Sequence, residues 1–336
     1  MVDRILLDVH AHLIPTDGLS NAGLHGVAWD ATKEALTLDG HTHGQKSLYR
    51  PEELLDWMNR NTVDRAWISI PPFGYRHNLT VAQSRAWFAY VNKGLVALAN
   101  QFPERFQPLF HLPVEHPALA AEIAACWIAQ GQPRFAMAAG DGAKVMLSDT
   151  AYETLWGALD AASAFLFLHP SESCDPRLKP FHLHNLVGNP TETAIAATHL
   201  VLSGVMDRYR NLLICLAHGG GTTAAIAGRL ERGRVSGRPG MEQHKTSVRD
   251  KFRRFCVDCI VHDPDVFRLV SEVHGTENIL FGSDWPFPMG LPEPHTQLAG
   301  IDKVLRHKIF AENLRRLGPL IGNGAPSTNS KAATVR

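Results

Sequence analysis

Eight short runs rich in Val, Ile, Leu and Phe alternate with eight longer amphipathic stretches along the 336 residues, and no other feature of the sequence constrains the fold as strongly. The runs cover residues 4–12, 63–70, 105–113, 142–147, 164–170, 211–219, 255–261 and 278–285, and each ends in polar residues, Gly or Pro. They read as strands, and the stretches near 51–61, 80–102, 117–130, 150–162, 190–209, 221–232, 263–274 and 301–317 read as helices. Pro51, Pro117 and Pro190 suit helix starts, and Asp149 and Asp263 can cap an N-terminus. Strict alternation implies a parallel sheet covered by helices, and eight strands is the number that closes a (β/α)8 TIM barrel. A doubly wound open sheet is the rival, but no Gly-rich phosphate fingerprint follows the first strand. Residues 1–321 are therefore expected to form one barrel with a long Gly-rich, His-bearing insertion at about 13–49, whose secondary structure stays open, and residues 322–336 to form a disordered polar tail.

Composition narrows the function classes. The 33 Lys and Arg balance the 33 Asp and Glu, so nothing in the overall charge draws the chain to nucleic acid or to an anionic membrane, and neither partner is expected. The first residues lack the apolar core of a signal peptide, no stretch approaches the ~20 apolar residues of a membrane span, and a cytoplasmic location is expected. Five thinly spread Cys argue against a disulfide framework. The 18 His matter more, because imidazole binds metals and transfers protons near neutral pH.

His10 and His12 end the first strand, two residues apart and hence on one face, with Asp8 before them. Alone the pair could be two chance polar caps. His169 closes the fifth strand, His218 the sixth ahead of three glycines, and Asp284 the eighth. In a closed barrel all these ends meet at the C-terminal mouth, where active sites of the fold lie. His10, His12, His169 and Asp284 make a nitrogen and oxygen set suited to one divalent ion, Zn2+ or similar. His218 could be a fifth ligand or a polar cap, but a proton shuttle beside a metal-held water suits its chemistry better. No lysine ends the expected fourth strand to bridge a second ion, since Lys144 stands near its start.

His10-x-His12, His169-Pro170, the segment NPTETAIAATHLVLSGVMDRYRNLLICLAHGGG, and VHDP with ILFGSDWPFP together resemble the amidohydrolase superfamily, in the branch that contains aminocarboxymuconate semialdehyde decarboxylase. The similarity covers the first strand and nearly the whole second half and is weak from about 13 to 162. It implies a (β/α)8 barrel with one divalent metal, commonly zinc, and non-oxidative decarboxylation of an aromatic or muconate-like carboxylic acid. It implies His10, His12, His169 and Asp284 as ligands and His218 as acid/base. Arg238, in SGRPG, matches an arginine that holds a substrate carboxylate in the neighbouring subunit's site, which implies a homodimer, and Phe287 matches a pocket aromatic. The chain departs from the pattern where a second arginine is expected: Glu53 stands there, with Arg50 three residues upstream. Hydrolysis of a lactone, amide or carbon–carbon bond at the same site is the alternative, and a metal-binding barrel without turnover is a third reading.

His41 with His43, and His182 with His184, repeat the His-x-His spacing but fall in expected loops without a partner carboxylate. Cys256 and Cys259 sit three apart on the seventh strand, so their thiols are expected on opposite faces. Trp87, Phe88 and Trp156 read as core.

Overall fold

The computed structural model describes residues 3–140, 145–171, 173 and 175–321. The expected tail at 322–336 lies outside them. Strand β1 (Ile5–His12) begins the barrel, and β2 (Val27–Asp30), β3 (Ala35–Leu38) and β4 (His41–His43) form a small antiparallel sheet within the insertion. The barrel continues through β5 (Val63–Ser69), β6 (Phe106–Pro108), β7 (Phe110–Leu112), β8 (Arg134–Ala138), β9 (Phe165–His169), β10 (Leu213–Leu216), β11 (Cys256–Asp258) and β12 (Ile279–Leu280), every pairing parallel. The sheet closes where Val9 N–H donates to Phe281 O (3.0 Å) and His12 N–H to Trp285 O (2.8 Å).

Two strands differ from expectation. The third is interrupted after Pro108, which has no N–H to give to the ladder. The fourth is Arg134–Ala138 rather than 142–147. Its small alanines and leading arginine conceal a buried strand, because part of what holds the Arg134 guanidinium comes only with the fold, where Nη1 donates to Leu320 O at 2.9 Å beside the local bond from Nη2 to Gln132. Residues 141–144, with Lys144, lie outside the described residues, and the strand ends at Ala138.

Period-two alternation builds two apolar layers. Leu7, Val9, Trp67, Ala136, Phe165, Phe167, Cys215 and Cys256 point inward, while Ala66, Ile68, Phe135, Leu166, Ile214 and Cys259 pack under the helices. Cys256 and Cys259 thus face opposite ways as expected. Trp87, Phe88 and Trp156 are buried in the outer layer.

The α-helices among the described residues are α1 (Pro51–Arg60), α2 (Val81–Gln101), α3 (Pro117–Ile128), α4 (Glu153–Ala161), α5 (Asn189–Leu202), α6 (Val205–Arg208), α7 (Thr223–Val235), α8 (Val248–Lys251), α9 (Pro264–His274), α10 (Pro294–Gln297) and α11 (Lys303–His307). A reciprocal Thr80–Gln83 capping box starts α2, and the Asp263 carboxylate caps α9. The helix expected over 190–209 breaks into two at Gly204, which takes φ 78°. The last turns, Asn313–Ile321, carry Leu314, Leu317 and Leu320 into the inner layer and close the end of the barrel where the strands begin. None of the described helices is long and apolar enough to cross a membrane.

The insertion is anchored to the barrel. Arg76 holds the Asp39 carboxylate at 2.7 and 2.9 Å, His43 stacks on Phe73 at 3.7 Å, and Gln45 Nε2 donates to Pro286 O at 3.1 Å. His41 and His43 therefore lie on a strand rather than in a loop.

Candidate metal centre and active site

Val9 packs in the inner layer while its neighbour His10 turns toward the mouth, which a regular strand does not allow. The pairing of β1 with β5 shifts register between Asp8 and Ala11, and such an irregularity re-aims side chains. The buried Asp8 carboxylate steadies this stretch by accepting His10 N–H (2.9 Å), Ser283 N–H (3.0 Å) and the Ser283 hydroxyl (2.5 Å). Burial outweighs these bonds and raises its pKa to about 7.

Three imidazoles are committed through Nδ1. His10 Nδ1 donates to Asp258 Oδ2 (2.8 Å), His12 Nδ1 to Ile70 O (3.2 Å) and His169 Nδ1 to Pro170 O (2.6 Å). Each bond fixes the tautomer and leaves an Nε2 lone pair pointing to a common centre. His10 Nε2 and His12 Nε2 are 3.1 Å apart, Asp284 Oδ1 is 3.2 Å from the first and 3.1 Å from the second, and His169 Nε2 is buried with no hydrogen-bond partner. Ligand atoms of His10, His12, His169 and Asp284 all lie within 4.8 Å of one another. Two Nε2 atoms crowded together beside a carboxylate and a third left without a partner are unfavourable unless a cation sits among them, so the donor set fits a divalent ion. The field favours positive charge here: burial disfavours a charged His10, yet Asp284 and Asp258 overcome it and push its pKa up to about 10, so without an ion a proton takes the place of the cation at His10 Nε2. Among the described residues this is the one such cluster, and His182 and His184, although 4.3 Å apart, gather no third ligand.

His218 stands beside the cluster, its ring 4.9 Å from His169 and its Nε2 3.7 Å from Asp284 Oδ2. It sits at φ 57° and Asp284 at φ 56°, left-handed conformations that non-glycine residues avoid and that concentrate at functional sites. The glycines after His218 let the turn close: a Cβ at Gly221, whose φ is 60°, would meet Pro190 O at 2.2 Å. The close approach is to backbone.

Asp258 was not singled out by sequence, and it organises both halves of the site. Its Oδ2 accepts His10 Nδ1–H and His218 N–H (2.9 Å), and its Oδ1 accepts Gly219 N–H (2.8 Å) and Ile260 N–H (3.1 Å). The signal available was a lone carboxylate inside the apolar run FCVDCIV.

Phe287 lies against His12, ring centroids 5.5 Å apart, and lines a cavity of about 580 Å³ with Trp57, Trp285 and Glu53. Arg238 is not brought to the cluster. It stands on the exposed turn after α7, and no hydrogen bond or ion pair joins its guanidinium to the described residues of the site. Arg50 is occupied, its guanidinium held at 2.9 Å by both Glu34 and Glu53.

Similarity to known proteins follows the same lines. The chain is 27% identical over 303 residues to 2-amino-3-carboxymuconate-6-semialdehyde decarboxylase of Dictyostelium discoideum, which covers 84% of this chain and 82% of that protein. It is 27% identical over 353 residues to the protein of the same name from Caenorhabditis elegans, covering 84% and 86%. Among solved structures, 5-carboxyvanillate decarboxylase from Sphingomonas paucimobilis superposes with a TM-score of 0.77 at 21% identity, covering 94% of this chain and 98% of that one, and shares the fold. A dihydroxybenzoic acid decarboxylase from Polaromonas sp. JS666, solved with bound manganese, gives a TM-score of 0.74 at 18% identity over 94% and 96% of the two chains. The amidohydrolase family profile matches residues 7–319, nearly the whole barrel, and the chain belongs to that family, in the branch that includes aminocarboxymuconate semialdehyde decarboxylase.

Proposed function

We propose that the protein is a metal-dependent non-oxidative decarboxylase of an unsaturated or aromatic carboxylic acid. The observation that carries this reading is the convergence of three Nε2 lone pairs and one carboxylate beside His218, in a chain whose curated relatives are decarboxylases. His10, His12, His169 and Asp284 would hold one divalent ion, and a nitrogen-rich set of this kind suits Zn2+. When bound, the ion supplies positive charge that holds the substrate and offsets the negative charge building on its conjugated system.

The chain's own residues supply the rest. His218, with Nε2 turned toward Asp284 Oδ2, holds a proton at the edge of the cluster. As the carbon–carboxylate bond breaks, its electron pair stays on carbon, the His218 proton goes to that carbon, CO2 leaves, and solvent returns the proton to His218. Phe287 offers an aromatic wall beside His12. Position 53 is a carboxylate and Arg50 is held by Glu34 and Glu53, which favours a substrate with one carboxylate over one that needs a second arginine.

Residues 1–321 read as a single barrel with its insertion, in the cytoplasm, where thiols such as Cys126, Cys215, Cys256 and Cys259 stay reduced. The working unit would be a homodimer in which Arg238 completes a neighbour's mouth.

Purified protein reconstituted with Zn2+ and incubated with a panel of aromatic and unsaturated carboxylic acids tests the reaction. Release of CO2 without net uptake of water is expected. Consumption of water without CO2 would instead indicate a hydrolase.

A further inference from the structure

A second polar cavity, of about 450 Å³, lies at the opposite end of the barrel from the metal cluster. Its walls come from residues just before three strands: Ser163 ahead of β9, Arg210 to Leu213 leading into β10, and Arg254 ahead of β11. Arg316, Leu317 and Leu320 of the closing C-terminal turns complete it.

Three guanidinium groups therefore share one cavity, and no carboxylate lines it. Among the described residues no acidic side chain forms an ion pair with Arg210, Arg254 or Arg316. Arg210 Nε donates to Asp207 O, and Arg254 Nη2 donates to Arg210 O at 3.0 Å and to Tyr209 O at 3.4 Å, which leaves most of the N–H groups of the trio without protein acceptors. The two nearby carboxylates are committed elsewhere. Asp160 accepts Asn211 N–H (2.7 Å) and Leu212 N–H (3.2 Å), and Asp207 pairs with Lys251. Burial and then the charges of Arg210 and Arg316 lower the Arg254 pKa, and the more weakly felt carboxylates of Asp207 and Asp160 offset this only in part. Like charges around a concave site, none of them in a direct ion pair, bind multivalent oxyanions well, since each anion oxygen can accept several charge-assisted hydrogen bonds.

We infer that the cavity formed by Arg210, Arg254 and Arg316 is a binding site for a phosphate-bearing small molecule, which links the C-terminal closing turns to the strands above them. The link has a physical basis, because Arg316 belongs to the closing turns while Arg210 and Arg254 belong to the barrel wall. Occupancy would add to what the Arg65 and Arg134 guanidiniums already do by donating to Ile321 O and Leu320 O.

Calorimetric titration of the metal-loaded full chain with pyrophosphate and with inorganic phosphate, against chloride at matched ionic strength, tests the site. Saturable binding of one pyrophosphate per chain, with a rise in melting temperature and unchanged turnover, is expected. Arg316→Gln and Arg210→Gln should each weaken binding about tenfold or more, while Arg268→Gln, on the exposed face of α9, leaves it intact. Should Arg316→Gln loosen the closing turns, Arg316→Lys keeps the charge and should retain most of the binding. The inference is overturned by heats that match chloride, by binding that Arg210→Gln and Arg316→Gln leave unchanged, or by attachment to phosphatidic acid vesicles without saturable binding of soluble pyrophosphate.

Discussion

Asp258 Oδ2 accepts the imidazole N–H of His10 at 2.8 Å and lies 248 residues from it in sequence. The same oxygen accepts the backbone N–H of His218, so one carboxylate orients a candidate ligand and the turn that presents the candidate proton donor.

Asp258→Ala should therefore injure the site twice. Metal affinity should fall by about 10- to 100-fold, the usual cost of removing a group that orients a ligating histidine. Turnover should stay depressed even at saturating metal, because the His218 turn loses its acceptor. Metal titration followed by assay at saturation separates the effects, and full recovery of rate would show that Asp258 acts through His10 alone.

His12→Ala and His218→Ala should part company. The first should lose metal and activity together. The second should keep a full equivalent of metal and lose at least ~10²-fold in rate, the lower range for a positioned general acid/base. Metal analysis of both proteins checks the division, and loss of the ion from His218→Ala would make His218 a ligand.

His274 supplies a pH test away from the metal cluster. It is fully buried between the Thr223 hydroxyl and Phe252 O, and burial lowers its pKa to about 4. The native imidazole stays neutral where the unfolded one gains a proton, so its contribution is complete above about pH 6.5. It declines as pH falls and is gone below about pH 4, with a span on the order of 3 kcal/mol. Denaturant unfolding of wild type and His274→Asn from pH 7.5 to 4 should show the wild type losing more stability than the variant. Parallel curves would remove His274 as the cause.

Arg238 is testable by mixing. Arg238→Ala and His218→Ala chains, each inactive, should recover partial activity when co-assembled, because one mouth of the mixed dimer would hold both intact residues. No recovery, with hybrid formation confirmed by mass, would place Arg238 outside a neighbour's site.

Local sequence determined much of this protein. The strand and helix alternation, the two-residue spacing of His10 and His12, and polar residues ending apolar runs at His169, His218 and Asp284 are all properties of a few neighbouring residues. A closed parallel barrel brings such ends together regardless of the detail of its packing. What only the tertiary structure decided depends on partners distant in the chain. The fourth strand lies at Arg134–Ala138 rather than 142–147, and Arg134 looks like a surface residue until Leu320 O is there to accept from it. Closure of the barrel sets Asp258, one more residue within a strand by sequence, against His10 Nδ1, and the folded insertion brings Glu34 onto Arg50. Local sequence encodes which face a side chain takes; which group it then meets is decided by register across the sheet and by the docking of loops, and the hydrogen bonds that set tautomer and charge form only at that stage.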